Sequence, residues 1–275
     1  VKVTVVGLGL IGASVAKALQ GHAEITGIDR DTGTIEKALR EGVISRGGSD
    51  LSLAQGSDAV VIALPVGNIV DAARGLLPHL SPDALVTDTG STKAHIVRDI
   101  ETFWPCFVGS HPIAGKENPG YSASQAILFA GRMCIITPGA HARGDCIRRA
   151  EQLWEACGSK VTVMDPVKHD ELMAVISHMP HLLSFASMGL AGDLHVHRSL
   201  LGAGFRDFTR IAASDPVMWR DIFLDNKKPI LELLDGYVRE LGALRKIIDS
   251  GDAAGLEEKL RTYSTIRRDL YEDNR

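Results

Sequence analysis

Val1-Lys-Val-Thr-Val-Val-Gly-Leu-Gly-Leu-Ile-Gly12 runs a β-branched strand straight into the pattern G-x-G-x-x-G. In that pattern Gly7 allows a tight turn, Gly9 lets the backbone approach a pyrophosphate, and Gly12 lets the following helix pack on the strand. Leu10 and Ile11 open that helix, whose first N–H groups and positive dipole end favour phosphate. The apolar stretch Ile11 to Leu19 is followed by a second strand, Glu24-Ile-Thr-Gly-Ile28, which ends at Asp29. Asp29 stands 22 residues after Gly7, about where a ribose-binding carboxylate belongs. A carboxylate there repels a 2′-phosphate, so NAD is the expected cofactor and NADP the weaker alternative. Arg30 is placed to stack on adenine or to pair with phosphate.

Beyond this segment the chain is long enough, at 275 residues, for two domains. An apolar content of 45%, with 23% charged residues, is that of an ordinary globular protein. A net charge of −4 gives no reason to expect nucleic acid or a bulk membrane surface as partner. No apolar run approaches the ~20 residues of a membrane span, and no signal peptide is expected before the first strand. Cys106, Cys134, Cys146 and Cys157 lack metal-ligand spacing. They are expected as buried reduced thiols, no metal is expected, and a cytoplasmic location follows.

Near-continuous apolar runs recur at 58–65, 84–90, 106–111, 133–137 and 160–164, separated by helical segments. This is the pattern of a doubly wound, mostly parallel α/β sheet of the Rossmann type, covered on both faces. After Pro166 the character changes, and 167–191 and 215–250 show helical spacing. Asp215-Pro216 looks like an N-cap with a first-turn proline. The division expected is a dinucleotide-binding domain over 1–164 and an all-α substrate and dimerisation domain over 165–275. Leu231, Leu234, Val238, Leu241, Leu244 and Ile248 form a long apolar stripe. A domain of about 110 residues cannot easily hide it alone, so a homodimer is expected, with an intrachain bundle as the alternative.

Ligands of open α/β sheets bind beyond the carboxyl ends of the strands. The candidates for chemistry are therefore Leu64-Pro65, Thr89-Gly-Ser91 and Gly109-Ser-His-Pro112. A histidine just after a strand and before a proline is rigidly placed, and can accept a proton near neutral pH. Ser91 opens the next helical segment, where it could serve as an N-cap, as a ligand-binding hydroxyl, or as both.

Five segments occur in one order: Gly7-Leu-Gly-Leu-Ile-Gly-Ala-Ser14, Asp88-Thr-Gly-Ser-Thr-Lys93, Gly109-Ser-His-Pro-Ile-Ala-Gly115, Ser177-His-Met-Pro-His181 and Gly204-Phe-Arg-Asp-Phe-Thr-Arg210. Together they resemble the prephenate/arogenate (cyclohexadienyl) dehydrogenase family of tyrosine biosynthesis. The resemblance implies that a hydride leaves the hydroxyl-bearing ring carbon of prephenate or arogenate for a nicotinamide, while the ring carboxylate departs as carbon dioxide. It implies His111 as the group that takes the hydroxyl proton, with Ser91 holding that hydroxyl in line. Arg210 matches the family arginine that pairs with a substrate carboxylate, a task suited to its planar fork. His181, with His178 behind it, would line the ring pocket. Trp219 would be a wall, and Asp207 would orient Arg210 or another basic group.

Lys116 stands where the family pattern leads us to expect a small hydroxyl residue, and Glu117 beside it joins the substrate-side candidates. Neither a fused chorismate mutase nor a C-terminal regulatory domain is expected, so any inhibition by tyrosine, which resembles the product, would have to act at or near the active site. Two other enzyme classes share the architecture. A β-hydroxyacid dehydrogenase would want a G-x-x-G-x-x-x-K-x-x-N stretch, which is not readable here. A pyrroline-carboxylate reductase has no evident use for His111. A dinucleotide sensor without turnover, or a purely structural dimerisation module, would not need His, Ser and Arg to converge.

Overall fold

The structure is a computed structural model, and it describes residues 1–116, 118–194 and 197–271. Its first half alternates strand and helix. The chain begins with β1 (Lys2–Val6), α1 (Leu10–Ala18), β2 (Glu24–Ile28), α2 (Thr32–Arg40), β3 (Arg46–Gly48), β4 (Ala59–Ile62) and α3 (Val66–Leu76). Then come β5 (Leu85–Asp88), α4 (Ala94–Glu101), β6 (Phe107–Pro112), β7 (Met133–Pro138), α5 (Gly144–Ala156) and β8 (Lys160–Val163). The eight strands form one sheet in the order β3-β2-β1-β4-β5-β6-β7-β8.

Every neighbouring pair is parallel except β6 and β7. The central strands are buried on both faces: Val5, Val60, Val61 and Ile62 have no exposed surface. This is why they read as unbroken apolar runs rather than as alternating ones. β3 escapes a hydropathy reading because it is three residues, Arg-Gly-Gly, paired along β2. The strand order reverses direction between β1 and β4, the switch point at which such sheets open a crevice. His111 lies within β6 rather than after it, because antiparallel pairing with β7 carries the strand on through His111↔Ile135 and Pro112↔Cys134.

Helices follow Pro166: α6 (Pro166–Met173), α7 (Met179–Asp193), α8 (Ala203–Thr209), α9 (Pro216–Asp225), α10 (Lys227–Ser250) and α11 (Ala253–Tyr271). Prolines start two of them, behind Asp165 and Asp215, whose carboxylates accept first-turn N–H groups; of the two, the sequence predicts the cap at Asp215. The helical run from 167 is not uniform. Pro180 has no N–H to donate into the turn before it, and the backbone widens to a π turn over Ala174–His178.

Contrary to what their spacing suggested, the four cysteines are not all reduced thiols. Cys106 and Cys146 form a disulfide across 40 residues, while Cys134 and Cys157 are free and buried. Cys106 enters β6 and Cys146 sits in the first turns of α5. Only tertiary packing brings them together, so linear spacing carries no sign of the bond.

The chain divides into two compact units, residues 1–227 and those from Lys228 onward. In the second, Gly251 turns the chain at φ +68° and Lys259 of α11 reaches Glu240 of α10 at 2.7 Å. The stripe on α10 is uncovered in the single chain: Leu231, Val238, Leu241 and Ile248 are exposed, and Leu234 and Leu244 half-buried.

Candidate active site

The glycine turn between β1 and α1 is shaped for a ligand. Gly7 has φ +92°, and a Cβ there would stand 2.4 Å from the Ala63 carbonyl oxygen. A Cβ on Gly12 would come far inside contact distance of the Gly7 carbonyl. Gly9 differs from both, because a Cβ on it would meet nothing within 4 Å. No protein contact demands glycine there, so the open space fits a group that approaches the backbone closely. Gly9 also caps α1 with no side-chain hydrogen bond, which leaves the first-turn amides of Leu10 and Ile11 for an anion. Asp29 follows β2 beside this turn: one carboxylate oxygen accepts the Leu8 N–H at 2.6 Å, the other the Asp31 N–H at 2.9 Å. Leu64 touches the same turn from the end of β4, Pro65 precedes α3, and Arg30 is exposed beyond Asp29.

A buried polar knot fixes the end of β6. Asp88 and Lys93, both without exposed surface, form an ion pair. Asp88 accepts the Ser110 and Gly90 N–H groups at 3.1 and 2.8 Å, and the Lys93 ammonium donates to the Ser110 carbonyl at 3.0 Å. Ser110, the residue before His111, is thus held at both its N–H and its carbonyl by charged partners, the strong class of hydrogen bond. Ser91 lies half-buried in the turn between β5 and α4. It does not cap α4. The carboxylate of Asp170, on α6, accepts the Lys93 and Ala94 N–H groups at 2.8 and 2.9 Å instead.

His111 meets a residue that the sequence reading passed over. Its Nδ1 lies 2.8 Å from Nε2 of His169, and Nδ1 of His169 lies 2.8 Å from the Asp170 carboxylate. His169 has no exposed surface. Further along the chain, His178 is enclosed at 1% exposure, where Asn226 donates to its Nδ1 at 2.9 Å and to the Asp170 carbonyl at 2.8 Å. His181 is more open. It stacks on Trp219 with ring centroids 3.6 Å apart, and its Nδ1 bonds the Ser177 carbonyl at 2.9 Å. Trp219 is 6% exposed and packs on Phe223 as well, as a core aromatic does. Arg210 opens a 3₁₀ turn after α8, with its charge felt at His181; Asp207 is exposed on α8. Glu117 lies outside the described residues.

Burial sets the electrostatics. It holds His111 well below the usual histidine range, with His169, Lys93 and His178 adding to the effect. The same cause lowers His169, against the opposing hydrogen bond to Asp170, and takes His178 down to about 4. His181 is lowered by burial and by Arg210, against the Ser177 carbonyl. At neutral pH the cluster therefore consists of uncharged imidazoles beside a fixed Lys93–Asp88 pair.

The model of the prephenate dehydrogenase nucleotide-binding domain fits residues 15–163, and that of the prephenate dehydrogenase dimerization domain fits 165–262. The chain belongs to the prephenate dehydrogenase family. A cyclohexadienyl dehydrogenase of Zymomonas mobilis is 31% identical to it, over 99% of this chain and 97% of that protein. The solved prephenate dehydrogenase from A. aeolicus, in complex with hydroxyphenyl propionate and NAD+, is 35% identical with TM-score 0.92, covering 98% of both chains. Arogenate dehydrogenase from Synechocystis is 31% identical with TM-score 0.87, over 98% of this chain and 100% of that one. A 3-hydroxyisobutyrate dehydrogenase from Mycobacterium tuberculosis, at 15% identity and TM-score 0.53 over 72% of this chain, shares the fold alone.

Within this member of the prephenate dehydrogenase family, sequence reasoning missed His169, Asp170, Asn226 and the Asp88–Lys93 pair. One signal was in view: Lys168-His-Asp-Glu171 puts adjacent acid–base partners in a segment that starts with a capped proline.

Proposed function

We propose that this chain catalyses the NAD-linked oxidative decarboxylation of prephenate, arogenate or both, to 4-hydroxyphenylpyruvate and tyrosine respectively. The glycine turn, the uncapped start of α1 and Asp29 hold the dinucleotide, which supplies the hydride acceptor when bound. His111 accepts the hydrogen bond of the ring hydroxyl and draws its proton as the hydride leaves. It returns that proton to the phenolic oxygen once carbon dioxide has gone. Ser91 steadies the hydroxyl. Arg210 binds a substrate carboxylate with its planar fork, and His181, stiffened by its stack on Trp219, lines the ring pocket. His178 is enclosed, and acts from behind His181 and Trp219. Asp207 and Glu117 belong to the substrate side of the same reading.

The division of labour follows 1–164 for cofactor and proton transfer and 165–275 for substrate anchoring and homodimer formation. Tyrosine, which keeps the phenol and the side-chain carboxylate, competes at the same site. Biosynthetic metabolism of this kind is the ground for a cytoplasmic location, and the Cys106–Cys146 disulfide is the feature that a reducing compartment would oppose.

The observation that carries this reading is His111 itself: partly accessible, and following a serine whose backbone is held by a buried ion pair. Replacing it by asparagine should lower turnover by roughly 10²–10⁴-fold with substrate binding retained. Because burial lowers its ionisation well below the ordinary 6.5, the native kcat/KM should stay flat through neutral pH and fall only in acid. An unchanged turnover number in His111→Asn would remove the assignment.

A further inference from the structure

The hydrogen bonds around His111 fix which of its nitrogens is the base. Asp170 is already an acceptor twice over, since its two oxygens take the first-turn N–H groups of Lys93 and Ala94. The oxygen that bonds Lys93 is also the one 2.8 Å from Nδ1 of His169. A carboxylate only accepts, so Nδ1 of His169 must carry a hydrogen. In a neutral imidazole the other nitrogen is then bare, and Nε2 of His169 can only accept. That bare nitrogen faces Nδ1 of His111 at 2.8 Å. Two lone pairs cannot share such a distance, so Nδ1 of His111 carries the hydrogen.

We propose that His169 is a positioning residue which, backed by Asp170, locks His111 in the Nδ1–H form and leaves its Nε2 bare to receive the substrate proton. This rests on the reading of His111 as the base. The geometry gives the lock two further properties. Asp170 is itself immobilised by the start of α4, the helix that follows Ser91 and Lys93, so the orienting chain is tied to the loop that carries the other site residues. When Nε2 takes up a proton, the Nδ1–H of His111 becomes a charge-assisted donor to His169, whose own hydrogen points at a carboxylate. The positive charge is then shared along a line that ends on a fixed anion. His178 and the Lys93 ammonium also face this group, the first hydrogen-bonded to Asn226 and the second engaged by Asp88.

The test is nitrogen-15 NMR of the full chain, labelled at histidine and saturated with NAD, at pH 7.5. His111 should show a protonated Nδ1 and an unprotonated Nε2. In His169→Leu that preference should be lost, with kcat down by roughly 10–100-fold while the KM values for substrate and NAD move by less than about threefold. His169→Gln keeps an acceptor for the His111 Nδ1–H. It should preserve the tautomer and most of the rate, and it serves where the leucine variant does not fold. A native His111 protonated at Nε2, or a tautomer and kcat indifferent to His169→Leu, would overturn the proposal. Neither result bears on whether the native chain oxidises prephenate, which steady-state assay decides separately.

Discussion

Asp29 combines a fixed position with a charge, and both matter for cofactor choice. Its oxygens accept N–H groups from Leu8 and Asp31, so the carboxylate cannot swing away from the glycine turn. Each oxygen has a further lone pair to offer to a ribose hydroxyl, whereas a 2′-phosphate would meet a full negative charge. Asp29→Ser should therefore raise the NADP-to-NAD ratio of kcat/KM by about tenfold or more. An unchanged ratio would show that the choice is made elsewhere. Residues of this kind were legible because motif, strand end and spacing converge on them. His169 was not, because its meaning depends on a contact between residues 58 positions apart, on separate elements. Ser91 shows the opposite lesson: the local rule offers it as a cap, and a carboxylate from α6 takes that place.

The elements most easily read were the buried strands, whose apolar runs follow directly from having helices on both faces. β3 was invisible for lack of side chains to pack, and the reversal of β7 because orientation leaves no mark in an apolar run. The pairing of α5 with β6 is sealed by the Cys106–Cys146 disulfide, which also lay beyond sequence spacing. Closing a loop of 40 residues removes chain entropy from the unfolded state worth about 4 kcal/mol. Thiol titration of the unreduced, denatured protein should find two reactive thiols of the four. Reduction should expose all four and lower the thermal midpoint by several degrees. Four thiols without reductant would show that the bond does not form in solution.

At the scale of the molecule, the apolar stripe of α10 still lacks cover. Leu231, Val238, Leu241 and Ile248 are between 47% and 63% exposed in the single chain, a patch that monomers rarely leave in water. The family's dimerization domain spans this helix. Light scattering at micromolar concentration should give twice the chain mass of 29.5 kDa, and Leu241→Glu with Val238→Glu should shift the species towards monomer. A fully active native monomer would refute the homodimer. Dinucleotide-linked oxidation of a cyclohexadienyl acid is the activity expected of the whole chain. It is tested most directly by steady-state rates of the full chain with prephenate and arogenate, each offered with NAD and with NADP. Turnover of at least one substrate is expected, faster with NAD than with NADP; no reduction of either cofactor by either substrate would rule that activity out.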